Sequence, residues 1–274
     1  MIQSSSRIEQ CFAQLRKDKQ VALIPFLTAG DPDLETTAQA LLTLDRNGAD
    51  LLELGIPYSD PLADGPVIQA AASRSLARGT NLHAVLELVA RVTPNLRAPL
   101  VLFTYYNPVL ALGVENFLDR ARASGASGLV IPDLPVEEGE AILAAARARD
   151  LDIIWLVAPT SPPERLRRIV TVARGFIYLV STTGVTGMRD QVSDSVLTVL
   201  GALRSLTTRP VAVGFGISTP EQAAQVANWG ADGVIVGSAF VQRLAETPTE
   251  QRLEAIGAFC STLKRAMQPK LHSE

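Results

Sequence analysis

Eight short apolar runs of strand character recur along the chain, each separated from the next by a longer stretch of helical spacing. They begin at Val21 (VALIPFL), Asp50 (DLLEL), Pro99 (PLVLFTY), Gly128 (GLVIP), Asp152 (DIIWLV), Phe176 (FIYLV), Pro210 (PVAVGF) and Asp232 (DGVIVG). Their Val, Ile and Leu are near-continuous rather than alternating with polar residues, the pattern of strands covered on both faces. Helical periodicity fills 36–47, 85–92, 115–123, 136–149, 163–173, 196–206 and 220–229. Such alternation demands parallel strands joined by helical crossovers. Eight units predict an α/β fold of one closed (β/α)8 TIM barrel rather than an open doubly wound sheet.

The length, 274 residues, suits a single barrel over 1–274, and no Ser-, Gly- or Pro-rich tract divides it. Residues 1–18 carry Ile8, Phe12 and Leu15 at helical spacing and are expected to form a capping helix, whereas 268–274 should fray. Gly48, Gly125 and Gly230 precede strands in the similar phrases NGADLLELG, SGASGLVIP and WGADGVIVG, where each suits a helix C-terminal cap.

Composition narrows the function classes. Hydrophobic residues at 47% against 19% charged exclude disorder and promise a filled interior. A net charge of -3 with scattered arginines supplies no basic field for nucleic acid. The first twenty residues lack the apolar run of a signal peptide or membrane span. The only cysteines, Cys11 and Cys260, lie at opposite ends, which suits a reducing cytoplasm or plastid stroma. With His83 and His272 the only histidines, a Ser–His triad or multi-histidine metal site is disfavoured, and no metal is expected.

Chemistry is expected at the carboxyl ends of the strands, where barrels place their active sites. In ADLLELGIPYSDPLADGP, Glu53 sits among leucines in a buried strand, with Asp60 and Asp64 in the loop that follows. An ionised carboxylate there is costly unless paired or functional. Two readings stand: a carboxylate satisfied by an arginine, or an acid whose proton affinity burial raises for transfer near neutral pH. STTGVTGM, GFGIS and GSAF follow the last three strands, and their glycines let backbone amides approach an anion, with Ser238 opening a short helix. A phosphorylated ligand follows from that arrangement. The loop 183–190 has the composition of a lid. Lysines occur only at 17, 19, 264 and 270, near the ends of the chain, so Schiff-base aldol chemistry is disfavoured.

ELGIPYSDPLADGP, FTYYNP, VIPDLPVEE, STTGVTG, GFGIS and GADGVIVGSA, in this order across nearly the whole chain, resemble the α-subunit family of tryptophan synthase. The resemblance implies acid–base retro-aldol cleavage of indole-3-glycerol phosphate to indole and D-glyceraldehyde 3-phosphate. It implies that Glu53 is the general acid/base and that Asp64 handles the indole N–H proton. Gly184, Gly187, Gly216, Gly237 and Ser238 would hold phosphate, Phe26, Tyr105 and Tyr178 would wall the aromatic ring, and Thr186 would be the lid threonine. It further implies a β subunit, in an α2β2 complex, that carries the pyridoxal phosphate, with none in this chain. Pro57, Asp60, Asn107, Pro108, Asp133 and Pro135 would meet that partner. A stand-alone lyase releasing free indole would carry the same residues, and a barrel kept only to activate a partner is a third reading. A phosphate-binding isomerase would share the glycine loops but leaves the Glu53 segment and TGVTG unexplained together.

Overall fold

The computed structural model describes residues 5–180, 189–214 and 216–268, apart from the side chains of 189–193. Eight parallel strands close into a barrel in chain order: β1 (Ala22–Thr28), β2 (Leu52–Gly55), β3 (Leu100–Phe103), β4 (Gly128–Val130), β5 (Asp152–Val157), β6 (Ile177–Val180), β7 (Val211–Gly214) and β8 (Gly233–Val236). The ring shuts where Ala22 pairs with Gly233 and Ile24 with Ile235. Phe26 lies opposite Glu53, and Glu53 opposite Val101. Parallel neighbours in register point their side chains the same way, so these residues share one layer of the barrel.

Two cores follow from the period-two alternation. Leu23, Leu27, Leu52, Leu54, Leu102 and Val234 face outward into the layer between strands and helices. Ile24, Phe26, Leu51, Val101, Ile154, Phe176 and Ile235 fill the barrel itself. Glu53 sits one pleat from outward-facing Leu52 and Leu54, and therefore points inward.

The described helices are α1 (Arg7–Lys17), α2 (Leu34–Arg46), α3 (Pro66–Ala77), α4 (Leu82–Val92), α5 (Tyr106–Leu112), α6 (Val114–Ala123), α7 (Glu140–Ala148), α8 (Pro163–Val172), α9 (Arg189–Leu206), α10 (Pro220–Asn228), α11 (Ser238–Glu246) and α12 (Arg252–Ala266). Gly48, Gly125 and Gly230 follow α2, α6 and α10 at φ of 103°, 91° and 88°, left-handed values that reverse the chain at little cost to glycine. The expected N-terminal helix is shorter than 1–18. It starts at Arg7, where Ser6 accepts the Glu9 N–H and Glu9 returns a bond to the Ser6 N–H. Ile8, Phe12 and Leu15 belong to the inner core, and the Phe12 ring lies 5.6 Å from that of Phe176, so α1 closes the amino-terminal mouth of the barrel. We expect Phe12→Ala to lower stability by about 3–5 kcal/mol, the cost of an aromatic cavity. Urea unfolding followed by circular dichroism measures it.

Several helices differ from the sequence expectation. α3 and α5 went unanticipated because Ala-rich PVIQAAASRSLA has a weak apolar stripe and α5 is only seven residues long. α12 also went unanticipated, and it packs on α2 and buries Ile256, Cys260 and Leu263. α7 begins at Glu140 rather than Val136, because 136–139 form turns whose Glu138 and Gly139 amides bond back to Pro135 and Val136. α9 begins at Arg189, seven residues before the expected start, so Arg189 and Asp190 of the expected lid belong to a helix. The Arg74 guanidinium in α3 grips Asp31 after β1 through two bonds of 2.9 and 2.7 Å. That pair ties α3, the helix following the Asp64 loop, to the turn after β1.

Candidate active site

At the carboxyl ends of the strands a cavity of about 1090 Å³ opens. Glu53 forms its floor. The side chain is 1% exposed, and neither carboxyl oxygen has a hydrogen-bond partner among the described residues. Among the described residues no arginine neutralises it, so the paired-carboxylate reading finds no support there. Burial, with the nearby charge of Asp64 adding to it, pushes the Glu53 carboxyl up from 4.5 to about 8. Such a group holds its proton at neutral pH and can deliver it.

Asp64 stands on the cavity wall in the loop between β2 and α3. Burial raises its carboxyl from 3.8 to about 6, while a hydrogen bond from Tyr105 acts in the opposite direction. The two acids thus differ in proton affinity. At neutral pH one is protonated and the other ionised, a division of acid and base set by environment.

Phe26 and Tyr178, two of the three residues named as walls for an aromatic ring, line the cavity. Their positions depend on two glycines. A Cβ at Gly55 would lie 2.6 Å from Phe26 Cζ, and one at Gly214 would lie 2.7 Å from the Tyr178 hydroxyl. Tyr105 is different. It is 2% exposed and absent from the cavity lining, and its hydroxyl is directed at Asp64 from behind. Sequence reasoning missed Phe103 and Ile68, which also line the cavity. Phe103 was accessible from the pleat, being two residues from Val101 on the inward face of β3, whereas Ile68 belongs to the unanticipated α3.

At the ends of β7 and β8, Gly216, Ser218, Gly237 and Ser238 line the cavity. Gly237 precedes α11, whose start has no side-chain cap, so its first amides are available to an anion. The backbone at Gly237 does not itself require glycine. Its φ is -106°, and a Cβ would meet Ile68 and Phe26 at an ordinary 3.6 Å. What glycine preserves there is open space over the helix end. Gly184, Gly187 and Thr186 lie outside the described residues.

The six residues expected to meet a partner surround the same mouth. Asn107 donates to the Tyr58 hydroxyl at 3.1 Å, and Asp133 accepts the Tyr106 N–H at 2.8 Å, fixing the start of α5. Asp60 accepts from the Ser59 hydroxyl. Asp60, Asn107, Asp133 and Pro135 are exposed and Pro108 is half-buried, whereas Pro57 is buried. Leu62, 91% exposed, and Leu110, 53% exposed, add apolar surface to this rim that the sequence did not flag.

Of the described lysines, none lines the cavity, and Lys264 is paired with Asp50 at 2.7 Å. Among the described residues no three His, Cys, Asp or Glu side chains gather as metal ligands, and no helix is long and apolar enough to cross a membrane.

Residues 12–268 match the sequence profile of the family described as tryptophan synthase alpha chain. The chain is 69% identical to the tryptophan synthase alpha chain of Gloeobacter violaceus, over 97% of this chain and 96% of that one. It is 60% identical to that of Rippkaea orientalis, over 95% and 98%. Among solved structures, tryptophan synthase subunit alpha from Legionella pneumophila superimposes with a TM-score of 0.88 at 36% identity, over 96% of this chain and 99% of that one. Tryptophan synthase from M. tuberculosis in its aminoacrylate-bound form gives 0.87 at 36% identity, over 96% and 100%.

Proposed function

The chain belongs to the tryptophan synthase alpha chain family, and from that premise we propose that Glu53 and Asp64 carry the proton transfers of its reaction. That reaction is the lyase step of tryptophan biosynthesis, cleavage of indole-3-glycerol phosphate to indole and D-glyceraldehyde 3-phosphate. The observation that carries the assignment is the pair of acids held at about 8 and about 6 on one cavity.

In this reading the protonated Glu53 gives its proton to the indole carbon that bears the glycerol chain, while ionised Asp64 takes the indole N–H proton. The ring becomes the neutral indolenine tautomer. Glu53, now a carboxylate, accepts the proton of the adjacent glycerol hydroxyl as the carbon–carbon bond breaks. The electrons of that bond flow into the ring, the hydroxyl carbon becomes the aldehyde, and Asp64 returns the proton to nitrogen. Both acids finish as they began. The dry floor around Glu53 supports this cycle, because bulk water would lower its proton affinity and waste the transfer.

The phosphate end of the substrate is assigned to Gly216, Gly237, Ser238 and the α11 amides, with Gly184 and Gly187 completing the cradle and Thr186 closing over Asp64. Phe26 and Tyr178 flank the indole. A β subunit, docking on the rim of Asp60, Asn107, Pro108, Asp133 and Pro135 in an α2β2 assembly, receives the indole and carries pyridoxal phosphate. The work takes place in the cytoplasm or a plastid stroma.

Gly237→Leu tests the cradle. A branched side chain over the α11 amides should raise KM at least tenfold with a smaller change in kcat; an unchanged KM removes Gly237 from phosphate binding. The function itself is tested by following indole release from indole-3-glycerol phosphate with and without a tryptophan synthase β subunit. Stimulation by the partner supports the coupled enzyme, equally fast release alone favours a stand-alone lyase, and no release in either arm refutes the substrate.

A further inference from the structure

We infer that Tyr105 is a positioning residue for Asp64: its hydroxyl holds that carboxylate at the cavity wall, and its ring ties the hold to the partner-facing rim. The inference rests on the role given to Asp64 above and replaces the expected role of Tyr105 as a wall of the indole site.

The geometry is specific. The Tyr105 O–H donates to Asp64 Oδ2 at 3.0 Å, and the same oxygen accepts the Ala63 N–H at 3.0 Å. One phenol therefore grips both the carboxylate and the backbone beside it, in a loop whose Ser59, Asp60, Leu62 and Ala63 are exposed. The phenol itself is rigidly placed. Its ring packs edge-on to Phe103 at 6.2 Å, and stacks on Tyr58 at 5.1 Å with 29° between planes. The Tyr58 hydroxyl in turn accepts the Asn107 amide. A continuous set of contacts thus leads from rim to acid.

A donor bonded to an ionised carboxylate favours the ionised form. Burial opposes that form at Asp64, and the Tyr105 hydrogen bond is what acts against it; Glu53 from β2, itself protonated while Asp64 ionises, and the un-ionised Tyr178 from β6 add no charge to the site. The Tyr105 hydroxyl therefore keeps Asp64 ready to accept a proton below neutrality, and keeps it in place while the loop around it stays exposed.

The test is Tyr105→Phe in the full chain, which retains the ring and both ring contacts and removes only the hydroxyl. Titration of the Asp64 carboxyl by carbon NMR should show its midpoint raised by about one pH unit, the size expected for one charge-assisted hydrogen bond. The acidic limb of kcat/KM for indole release, assayed with a β subunit, should move upward with it, while the alkaline limb and the melting temperature change little. Tyr58→Ala, which leaves the hydroxyl but removes the stack, should shift the midpoint the same way; no shift overturns the link to the rim. An Asp64 midpoint unmoved by Tyr105→Phe overturns the inference outright. The NMR titration needs no turnover, so a wild-type chain that releases no indole refutes the proposed function and leaves Tyr105 to be judged on its own.

Discussion

Replacing Glu53 by Gln lowers kcat for indole release by about 10²–10⁴-fold, the range over which a positioned acid or base acts, and at the same time stabilises the fold. Substrate binding should persist, because the phosphate site proposed at the ends of β7 and β8 and the start of α11 does not involve the floor. The stability gain follows from linkage. In the unfolded chain this carboxyl releases its proton near 4.5, whereas in the fold it keeps it up to about 8. Below 4.5 both states are protonated and the difference vanishes. As pH rises from 4.5 towards 8, the unfolded state is favoured progressively, at about 1.4 kcal/mol per unit. At pH 7 the native chain therefore bears up to about 3 kcal/mol that Gln does not. Thermal unfolding at pH 5 and pH 8 should show Glu53→Gln gaining more at the higher pH. An unaltered kcat removes Glu53 from the chemistry; a loss of stability at pH 8 contradicts its burial in protonated form.

The second large effect belongs to Asp64. Wild-type kcat/KM should follow a bell, rising as Asp64 ionises near 6 and falling as Glu53 loses its proton near 8. Asp64→Asn cannot accept the indole N–H proton and should lower kcat about 10²-fold or more. What activity remains should lack the acidic limb, because the group that made it is gone. The alkaline limb should move down, since the charge of Asp64 is one of the two causes that raise Glu53. A residual profile that keeps its acidic limb assigns that limb to another group. Both variants are read in the same assay, indole release across pH 5 to 9 in the presence of a β subunit.

The barrel was legible because each of its eight strands declares itself locally. Runs such as VALIPFL and FIYLV are apolar on both faces, and only a sheet covered on both sides accommodates them. Glu53 was legible for the converse reason, as a charged residue in a leucine run. The turn glycines were legible too, since Gly48, Gly125 and Gly230 each adopt the left-handed backbone that their position after a helix demands. Gly216 and Gly237, picked out from their glycine loops, both line the cavity.

Other features depended on contacts between distant segments. α3 depends on contacts its own weak stripe does not announce: it packs on α11 and β1, and its Arg74 bonds Asp31, 43 residues away. Whether Glu53 had a partner could not be decided from the chain, since any of its many arginines could have folded onto it; the structure leaves both oxygens unpaired among the described residues. Tyr105 looked from its motif like a wall for a ligand, but the pleat and the loop after β2 put its hydroxyl behind Asp64 instead.

The sequence by itself determined which segments are strands, which face of each is buried, and which residues are chemically out of place, because these are properties of a few neighbouring residues and of the periodicity of the backbone. Only the tertiary structure decided that the two acids share a cavity and differ in proton affinity. Proton affinity depends on the full surroundings of a carboxyl, its distance from water, charge and donors, and closing the barrel brings together residues from β2, β3, β6 and α3 that no local pattern connects.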